Sequence, residues 1–455
     1  MKLGAFKIEG VDTIEFKKQI KTLREEILNG KNKSKFLIIN GEAGLGKTLY
    51  TEQALAELAL QNRKAIFVRK FVEDCVGSAK RINKQCKKEV AIAIHTGNYK
   101  ELKEILDSYN ILVITHKRYI DLSKNKAERK LFTQNREVLV IDEEIDMLDE
   151  MVYTTNRIEE FDSLLERGII RDLYNTCTKE IESFLKTNKT RTFFKTSINV
   201  SKELKQLKNL ITNSRLREFV KAQNIIFDNN VETAIISKDD KEILMTKSDF
   251  IKEIEVLENF INHVCYVENS FMYSYDRQIK FWKLENNLVL DATASVNYIY
   301  SISKQFTVKK DKKVVNHKNW IMYIVKQNTT KSNKAKTENI YDVINKEINN
   351  IALFGDLDKT LIIGNKEEQK YIHTSKYIDY AWFGNITGKN DWKDFSKAFV
   401  IHNPQYPFHT YIAKYMLYAG EKALLKENLG IVRDGQVVRF TSWETRQIRA
   451  TRAES

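Results

Sequence analysis

The sequence predicts an α/β fold with parallel sheets, and three observations support that prediction. Short apolar runs, such as those at 36–39 and 138–141, are typical of strands buried in a parallel sheet. The first of these runs leads through a glycine-rich loop into a helical pattern, which is the order of a βα unit. Finally, 455 residues exceed the length of one ordinary core. At roughly 150 residues per domain, this length suggests about three structural units.

Composition favours a globular protein of the cytoplasm that binds a polyanion. Hydrophobic residues make up 42% of the chain, which is ample for a buried core. No apolar run approaches the ~18 residues of a membrane helix, and the N-terminus lacks the pattern of a signal peptide. We therefore expect a cytoplasmic protein without membrane contacts. The net charge of +14 favours nucleic acid as a partner, although abundant Lys and Asn could equally reflect an AT-rich genome.

The most specific motif is a phosphate-binding loop. Residues 41–48 match the pattern G-x-x-x-x-G-K-[ST] at every fixed position, between an apolar run and a helical pattern. The glycines allow backbone N–H groups to point at phosphate oxygens. Lys47 is expected to reach the β- and γ-phosphates, and Thr48 is expected to hold Mg²⁺. The predicted nucleotide contacts are Gly41, Glu42, Ala43, Gly44, Leu45, Gly46, Lys47 and Thr48.

An acidic cluster supplies the carboxylates that such a loop requires. The apolar run 138–141 is followed by Asp142 and Glu143. An aspartate at the carboxyl end of a neighbouring parallel strand is suited to bind Mg²⁺, so Asp142 is predicted as a metal ligand. Glu143 is predicted as the catalytic base that deprotonates the attacking water. Acidic residues after a strand can alternatively cap the next helix.

Further segments, taken in order, resemble the superfamily 2 helicases of the DEAD/DEAH type, which have two RecA-like domains. In that family, polar loops after the strands of the first domain bind the sugar–phosphate backbone of nucleic acid. The positions that match those loops are Arg69, Thr96, Thr115 and Arg118. Asp142 and Glu143 resemble the start of the DEAD/DEAH motif, although Glu144 and Ile145 replace its third and fourth residues.

The resemblance extends to the second half of the chain. Residues 291–293 resemble the Ser-Ala-Thr motif with Asp in the first place, 386–391 resemble the loop of motif V, and 444–452 resemble motif VI. The resemblance implies further nucleic-acid contacts at Thr293 and Asn390 and nucleotide contacts at Gln19 and Gly388. The catalytic residues that it implies in motif VI are Gln447, Arg449 and Arg452. Either arginine could stabilise charge on the transferred phosphoryl group.

The resemblance also predicts the domain order. We expect a RecA-like domain 1 at 1–150, a mainly helical insertion at 151–284, a return to domain 1 at 285–299 and a RecA-like domain 2 at 300–455. Iron–sulfur helicases carry an insertion at the same point, together with four cysteines before the acid motif. Only Cys75 and Cys86 lie in that interval here, so we predict no iron–sulfur cluster.

The sequence therefore predicts an ATP hydrolase that uses ATP and Mg²⁺ to move on nucleic acid or to unwind it. Because contacts to the backbone carry no base information, binding should be tolerant of sequence and sensitive to salt. DNA is favoured over RNA as the partner. Two alternatives stay open. One is a viral packaging-type ATPase, and the other is a regulatory P-loop ATPase that switches a protein partner.

Overall fold

The structure, a computed structural model, describes residues 12–188, 191–222, 224–228, 231–238, 241–315, 321, 331–353, 359–386, 391–392, 394–401, 406–420, 432–433 and 436–437. The chain divides into two compact units. The large unit lies within Thr22–Lys310 and Pro407–Ile448, and the small unit within Met1–Lys21, Asp311–Tyr406 and Arg449–Ser455. Within the described ranges, no helix is both long enough and apolar enough to span a bilayer.

The large unit is centred on a seven-stranded sheet. Its strands are β1 (Phe36–Ile39), β2 (Ala65–Arg69), β3 (Ala91–Ile94), β4 (Ile111–Thr115), β5 (Val138–Asp142), β13 (Asn286–Leu290) and β14 (Phe306–Lys309). Their order is β14-β1-β13-β5-β2-β4-β3, and all neighbouring pairs are parallel. Strands β2 and β5 are buried at every position, because both of their faces are covered. Their apolar runs therefore lack alternation.

Helices cover both faces of this sheet. They are α1 (Thr13–Asn29), α2 (Lys47–Leu60), α3 (Val72–Cys86), α4 (Tyr99–Leu102), α5 (His116–Lys124), α6 (Lys126–Thr133) and α11 (Ile299–Ile302), with a 3₁₀ segment at Lys103–Ser108. Alternate strand residues point into two separate cores. Phe67 of β2 packs with α1, α2 and α3 on one face, whereas Ile66 packs with α5 and α6 on the other.

The segment between β5 and β13 combines helices with antiparallel strands in its described residues. The helices are α7 (Thr155–Leu164), α8 (Ile169–Thr187), α9 (Ser201–Asn213) and α10 (Lys247–Glu258), with a 3₁₀ turn at Leu216–Glu218. One sheet has the order β6-β12-β11-β7 and the other the order β10-β9-β8. Their strands are β6 (Glu150–Thr154), β7 (Thr192–Phe194), β8 (Asn224–Asp228), β9 (Val231–Lys238), β10 (Lys241–Thr246), β11 (Cys265–Glu268) and β12 (Phe271–Tyr275). The helices pack around one core of their own, so this segment is a mixed subdomain.

A helix late in the chain completes the large unit. Helix α15 (Phe408–Ala419) follows the strands of the small unit in sequence but clusters with the large unit. Its Tyr411 and Tyr415 pack against Tyr266 and Tyr275 of the four-stranded sheet. Its Tyr418 belongs to a core of the seven-stranded sheet. The helix therefore joins the insertion to the main sheet.

The small unit contains a second parallel sheet. Its strands are β15 (Thr360–Gly364), β16 (Ile378–Trp382) and β17 (Lys397–Val400), in the order β16-β15-β17. Its helices are α12 (Lys331–Lys336), α13 (Ile340–Leu353) and α14 (Phe383–Ile386), with a 3₁₀ segment at Lys366–Tyr371. A buried ion pair of 2.5 Å joins Lys334 to Glu368. Two short strands, β18 (Val432–Arg433) and β19 (Gln436–Val437), pair antiparallel elsewhere in the chain.

The predicted α/β class, with two parallel sheets and an insertion, is confirmed. The structure adds strand β14 to the first sheet, so that sheet continues past the predicted boundary between 299 and 300. It also adds the antiparallel strands to the insertion. The apolar periodicity of this segment indicated its helices. Strands β6 and β7 pair with strands far along the chain, whereas β8, β9 and β10 pair with their neighbours in sequence.

A buried Tyr–Trp pair should make a measurable contribution to the stability of the large unit. Tyr119 is fully buried. Its hydroxyl donates to the backbone carbonyl of Trp282 at 2.7 Å and accepts from the backbone N–H of Trp282 at 3.1 Å. Tyr119→Phe leaves both backbone groups unpaired, so we expect a loss of about 1–3 kcal/mol in the free energy of unfolding. Urea unfolding measures this loss of free energy. Tyr371→Phe, at a side chain that is 46% exposed, is the control, and equal losses in both variants would contradict the prediction.

Candidate active site

The predicted phosphate loop connects the end of β1 to the start of α2. Gly44 and Gly46 have φ angles of 77° and 73°, a left-handed conformation that strains any residue with a Cβ atom. Gly46 is also the N-cap of α2, so the loop ends at the N-terminus of a fourteen-residue helix. Exposed N–H groups at such a terminus suit phosphate binding. The backbone geometry therefore explains why glycine occupies these two positions.

Lys47 folds back over this loop. Its ammonium donates to the carbonyl of Gly41 and, at 3.0 Å, to that of Glu42. Burial lowers the pKa of Lys47, while the negative charges of Asp142, Asp291 and Glu143 counteract this lowering. A cation held by carbonyl groups at the mouth of the loop can exchange these neutral acceptors for phosphate oxygens, which are stronger acceptors.

A hydrogen bond joins the phosphate loop to the acid motif. The Thr48 hydroxyl donates to Oδ2 of Asp142 at 2.9 Å, although the two residues are 94 positions apart. A hydroxyl and a carboxylate oxygen are hard ligands that fit Mg²⁺, which commonly keeps several water ligands besides one or two protein groups. Burial raises the pKa of Asp142, and the charges of Arg69 and Lys47 oppose that change. A bound cation would likewise favour the ionised carboxylate.

Glu143 has an unusual backbone conformation. Its φ is 71°, and its N–H donates to the carbonyl of Leu290, the last residue of β13, at 2.9 Å. A non-glycine residue in the left-handed region is uncommon, and such strain is frequent at functional positions. Burial raises the pKa of Glu143, while Lys70, whose ammonium lies 3.9 Å from the carboxylate, acts to lower it. A carboxylate with a raised pKa is a better proton acceptor, as the predicted base requires.

The Asp-Ala-Thr segment after β13 forms a second buried polar cluster. The Thr293 hydroxyl donates to Oδ1 of Asp291 at 2.7 Å, and the Tyr300 hydroxyl donates to Oδ2 at 2.6 Å. Next to it, Asn297 donates to the carboxylate of Glu144 at 2.7 Å. Burial raises the pKa of Glu144. The motif indicated Thr293, but nothing in the local sequence pattern indicated the contacts of Tyr300 and Asn297.

The residues predicted to bind nucleic acid have different surroundings. Arg69 lies in the nucleotide site, with Nη1 3.1 Å from Oδ2 of Asp142. Thr96 is exposed in the turn after β3. The Thr115 hydroxyl caps α5 by accepting from the N–H of Arg118 at 3.1 Å. Arg118 itself pairs with Glu128 at 2.7 Å. Among these four, Thr96 is the one whose side chain is exposed, and the predicted nucleic-acid contacts of all four remain predictions.

The remaining predicted residues belong to the small unit or lie outside the described residues. The Gln19 side chain donates to the carbonyl of Lys312 at 2.7 Å, and both residues belong to the small unit. Its predicted contact with the base of ATP remains a prediction. The predicted site residues outside the described ranges are Gly388, Asn390, Gln447, Arg449 and Arg452.

The cysteines take no part in the candidate site. Cys75, Cys86, Cys177 and Cys265 are buried free thiols, and burial raises the pKa of Cys75 to about 12. Within the described part of the chain, no group of three or more His, Cys, Asp or Glu side chains is arranged to hold a metal. The combination of Thr48 with Asp142 is therefore the arrangement on which a magnesium assignment rests.

Comparison with known proteins identifies the region that contains this site. Residues 19–171 match the model of the family described as DEAD/DEAH box helicase. This region is therefore similar to a DEAD/DEAH box helicase domain. It contains the phosphate loop, the Thr48–Asp142 hydrogen bond and Glu143. A search of curated protein sequences found no similar protein.

This region and the rest of the chain are also distantly similar to several solved structures. Xpd4 of S. tokodaii is 11% identical, with a TM-score of 0.47 over 91% of this chain and 89% of that one. A structure named XPD_APO is 11% identical, with a TM-score of 0.44 over 88% and 87% of the two chains. The DUF1998 helicase MrfA bound to DNA and AMPPNP is 12% identical, with a TM-score of 0.21 over 39% of this chain and 25% of that one.

A buried histidine next to the acid motif predicts how stability depends on pH. Nε2 of His116 lies 2.8 Å from the carbonyl oxygen of Asp142, and burial lowers the pKa of His116 to about 4 from 6.5. The unfolded chain therefore binds this proton more tightly, and stability should fall as the pH falls from about 6.5 to about 4, by roughly 1–3 kcal/mol.

His116→Gln keeps an N–H donor but cannot be protonated in this range. We expect the variant to lose less stability than the unmodified protein as the pH falls, as measured by urea unfolding at a series of pH values. The comparison of the two proteins cancels the contributions of other titrating groups. Parallel stability curves for both would contradict the prediction.

Proposed function

We propose that this protein is an ATP-dependent helicase or translocase, which hydrolyses ATP to move on nucleic acid or to unwind it. The observation that carries the proposal is the hydrogen bond of 2.9 Å between Thr48 and Asp142. It joins a phosphate loop to an acid motif inside a region that matches the DEAD/DEAH box helicases. Neither the packaging ATPase nor the regulatory switch gains support from any observation of comparable weight.

The proposed chemistry assigns one task to each group. The loop N–H groups and Lys47 bind the phosphates of ATP, and Thr48 with Asp142 would hold Mg²⁺. When bound, Mg²⁺ neutralises charge on the phosphate oxygens. Glu143 orients a water molecule and accepts its proton, which its raised pKa favours. The arginine that stabilises the transferred phosphoryl group is predicted from sequence to be Arg449 or Arg452.

The nucleic-acid partner is inferred from charge and from the predicted loops. The chain has a net charge of +14. Lys70 and Thr96 follow parallel strands β2 and β3, so both come after strand ends on the same edge of the sheet. Contacts from such loops to phosphates and sugars would tolerate any sequence and weaken with salt. DNA is favoured over RNA, and a cytoplasmic location completes the proposal.

Stimulation of hydrolysis by nucleic acid tests the proposal. We expect phosphate release from ATP to increase when single-stranded DNA is added, and to increase less with single-stranded RNA. Glu143→Gln should lower the turnover by at least about 100-fold with and without nucleic acid, because the base is lost while ATP binding remains.

Asp146→Asn is the matched control, because Asp146 is a neighbouring carboxylate that is 51% exposed and pairs with Lys414. Its turnover should stay close to that of the unmodified protein. If neither DNA nor RNA stimulates hydrolysis, the helicase or translocase proposal is rejected, and only ATP hydrolysis remains as the proposed activity. If Glu143→Gln hydrolyses ATP normally, the assignment of the base is wrong.

A further inference from the structure

Arg69 has a place in the structure that differs from a surface contact with nucleic acid. It is the last residue of β2, and its side chain is only 11% exposed. The guanidinium lies among three carboxylates. Nη1 is 3.1 Å from Asp142 and 3.9 Å from Glu52, and Nη2 is 3.6 Å from Asp74. One buried cation is thus shared by three anions from three different elements.

The guanidinium is held by charge and not by a full set of directional bonds. Nε and Nη1 of Arg69 are buried atoms without a hydrogen-bond partner, although Nη1 lies within ion-pair distance of Asp142. An arginine that is fixed in one position normally makes paired, fork-like hydrogen bonds to a carboxylate. Arg69 can therefore shift between neighbouring carboxylates without breaking such a pair.

Glu52 does not depend on Arg69 for its neutralisation. It is completely buried, but Arg81 binds both of its oxygens at 2.7 Å and the Ser78 hydroxyl donates to it at 2.6 Å. A buried carboxylate with these partners is satisfied. The charge of Arg69 is therefore divided mainly between Asp142 and Asp74.

These two carboxylates belong to different functional regions. Asp142 is the candidate magnesium ligand, and the Arg69 guanidinium approaches the same oxygen, Oδ2, as the Thr48 hydroxyl. Asp74 lies in the first turn of α3 and is 28% exposed. A divalent cation beside Asp142 would repel the guanidinium, because like charges at this distance interact strongly in a buried site. Asp74 is the nearest remaining anion that can receive it.

We propose that Arg69 is a positioning residue that links the metal site to the start of α3. Its guanidinium neutralises Asp142, and it moves toward Asp74 when a metal–nucleotide complex binds. Only Lys70 and Phe71 separate Arg69 from α3, so this movement acts on the loop that is predicted to meet nucleic acid. The effect on this loop rests on the proposed function, whereas the movement of Arg69 from Asp142 to Asp74 does not.

The test is the magnesium requirement of nucleotide binding by the full chain. MgCl₂ is titrated into the protein with a fluorescent ADP analogue, without nucleic acid, and the midpoint of binding is read. Arg69→Gln removes the repelling charge, so its midpoint should fall by at least about fivefold. Asp74→Asn removes the alternative partner, so its midpoint should rise. Arg69→Lys keeps the charge, so it should stay closer to the unmodified protein than Arg69→Gln does.

An unchanged midpoint in Arg69→Gln would overturn the inference, as would a shift of both neutral variants in the same direction. Thermal unfolding in EDTA checks that each variant folds. Should Arg69→Gln fail to fold, the magnesium midpoint of Asp74→Asn decides the role of Arg69. Asp74 is partly exposed, so we expect this variant to fold. Because nucleic acid is absent, a protein that never responds to DNA or RNA overturns the proposed function, while these midpoints still decide the role of Arg69.

Discussion

The candidate site depends on one constraint, which is that parallel strands bring their carboxyl ends to the same edge of a sheet. Strands β1 and β5 are each hydrogen-bonded to β13. This pairing places the Thr48 hydroxyl 2.9 Å from Oδ2 of Asp142. The same pairing gives the N–H of Glu143 its partner at the end of β13. A register slip in either strand would therefore separate the phosphate loop from its acid motif.

The site also contains several buried charged groups that lie close together. Lys47 at the start of α2 lies near Asp142 at the end of β5 and Glu143 just after it, and Arg69 adds a further cation at the end of β2. Isolated charges at such depth would be very costly, so the groups stabilise one another. The arrangement also makes the site responsive, since any added cation or phosphate changes the balance among all of them.

The sequence predicted the parts of the structure that have a fixed spacing. The phosphate loop could be recognised because residues 41–48 must have these types to form one backbone geometry. The strand ending at Asp142 could be recognised from its continuous apolar run. Arg69 could not be placed, because a residue at a strand end can turn outward to solvent or inward to Asp142, and only the surrounding carboxylates decide. Strands β6 and β7 of the insertion were missed for a similar reason, since their pairing partners β12 and β11 are distant in sequence.

Helix α15 gives the molecule a constraint that concerns the order of synthesis. Tyr266 and Tyr275 are made long before Tyr411 and Tyr415, which cover them, and the whole small-unit sheet is translated in between. At a translation rate of roughly 5–20 residues per second, this aromatic surface waits on the order of ten seconds for its helix. The large unit, although its sheet is formed by earlier residues, is thus completed by a segment that leaves the ribosome after the small-unit sheet.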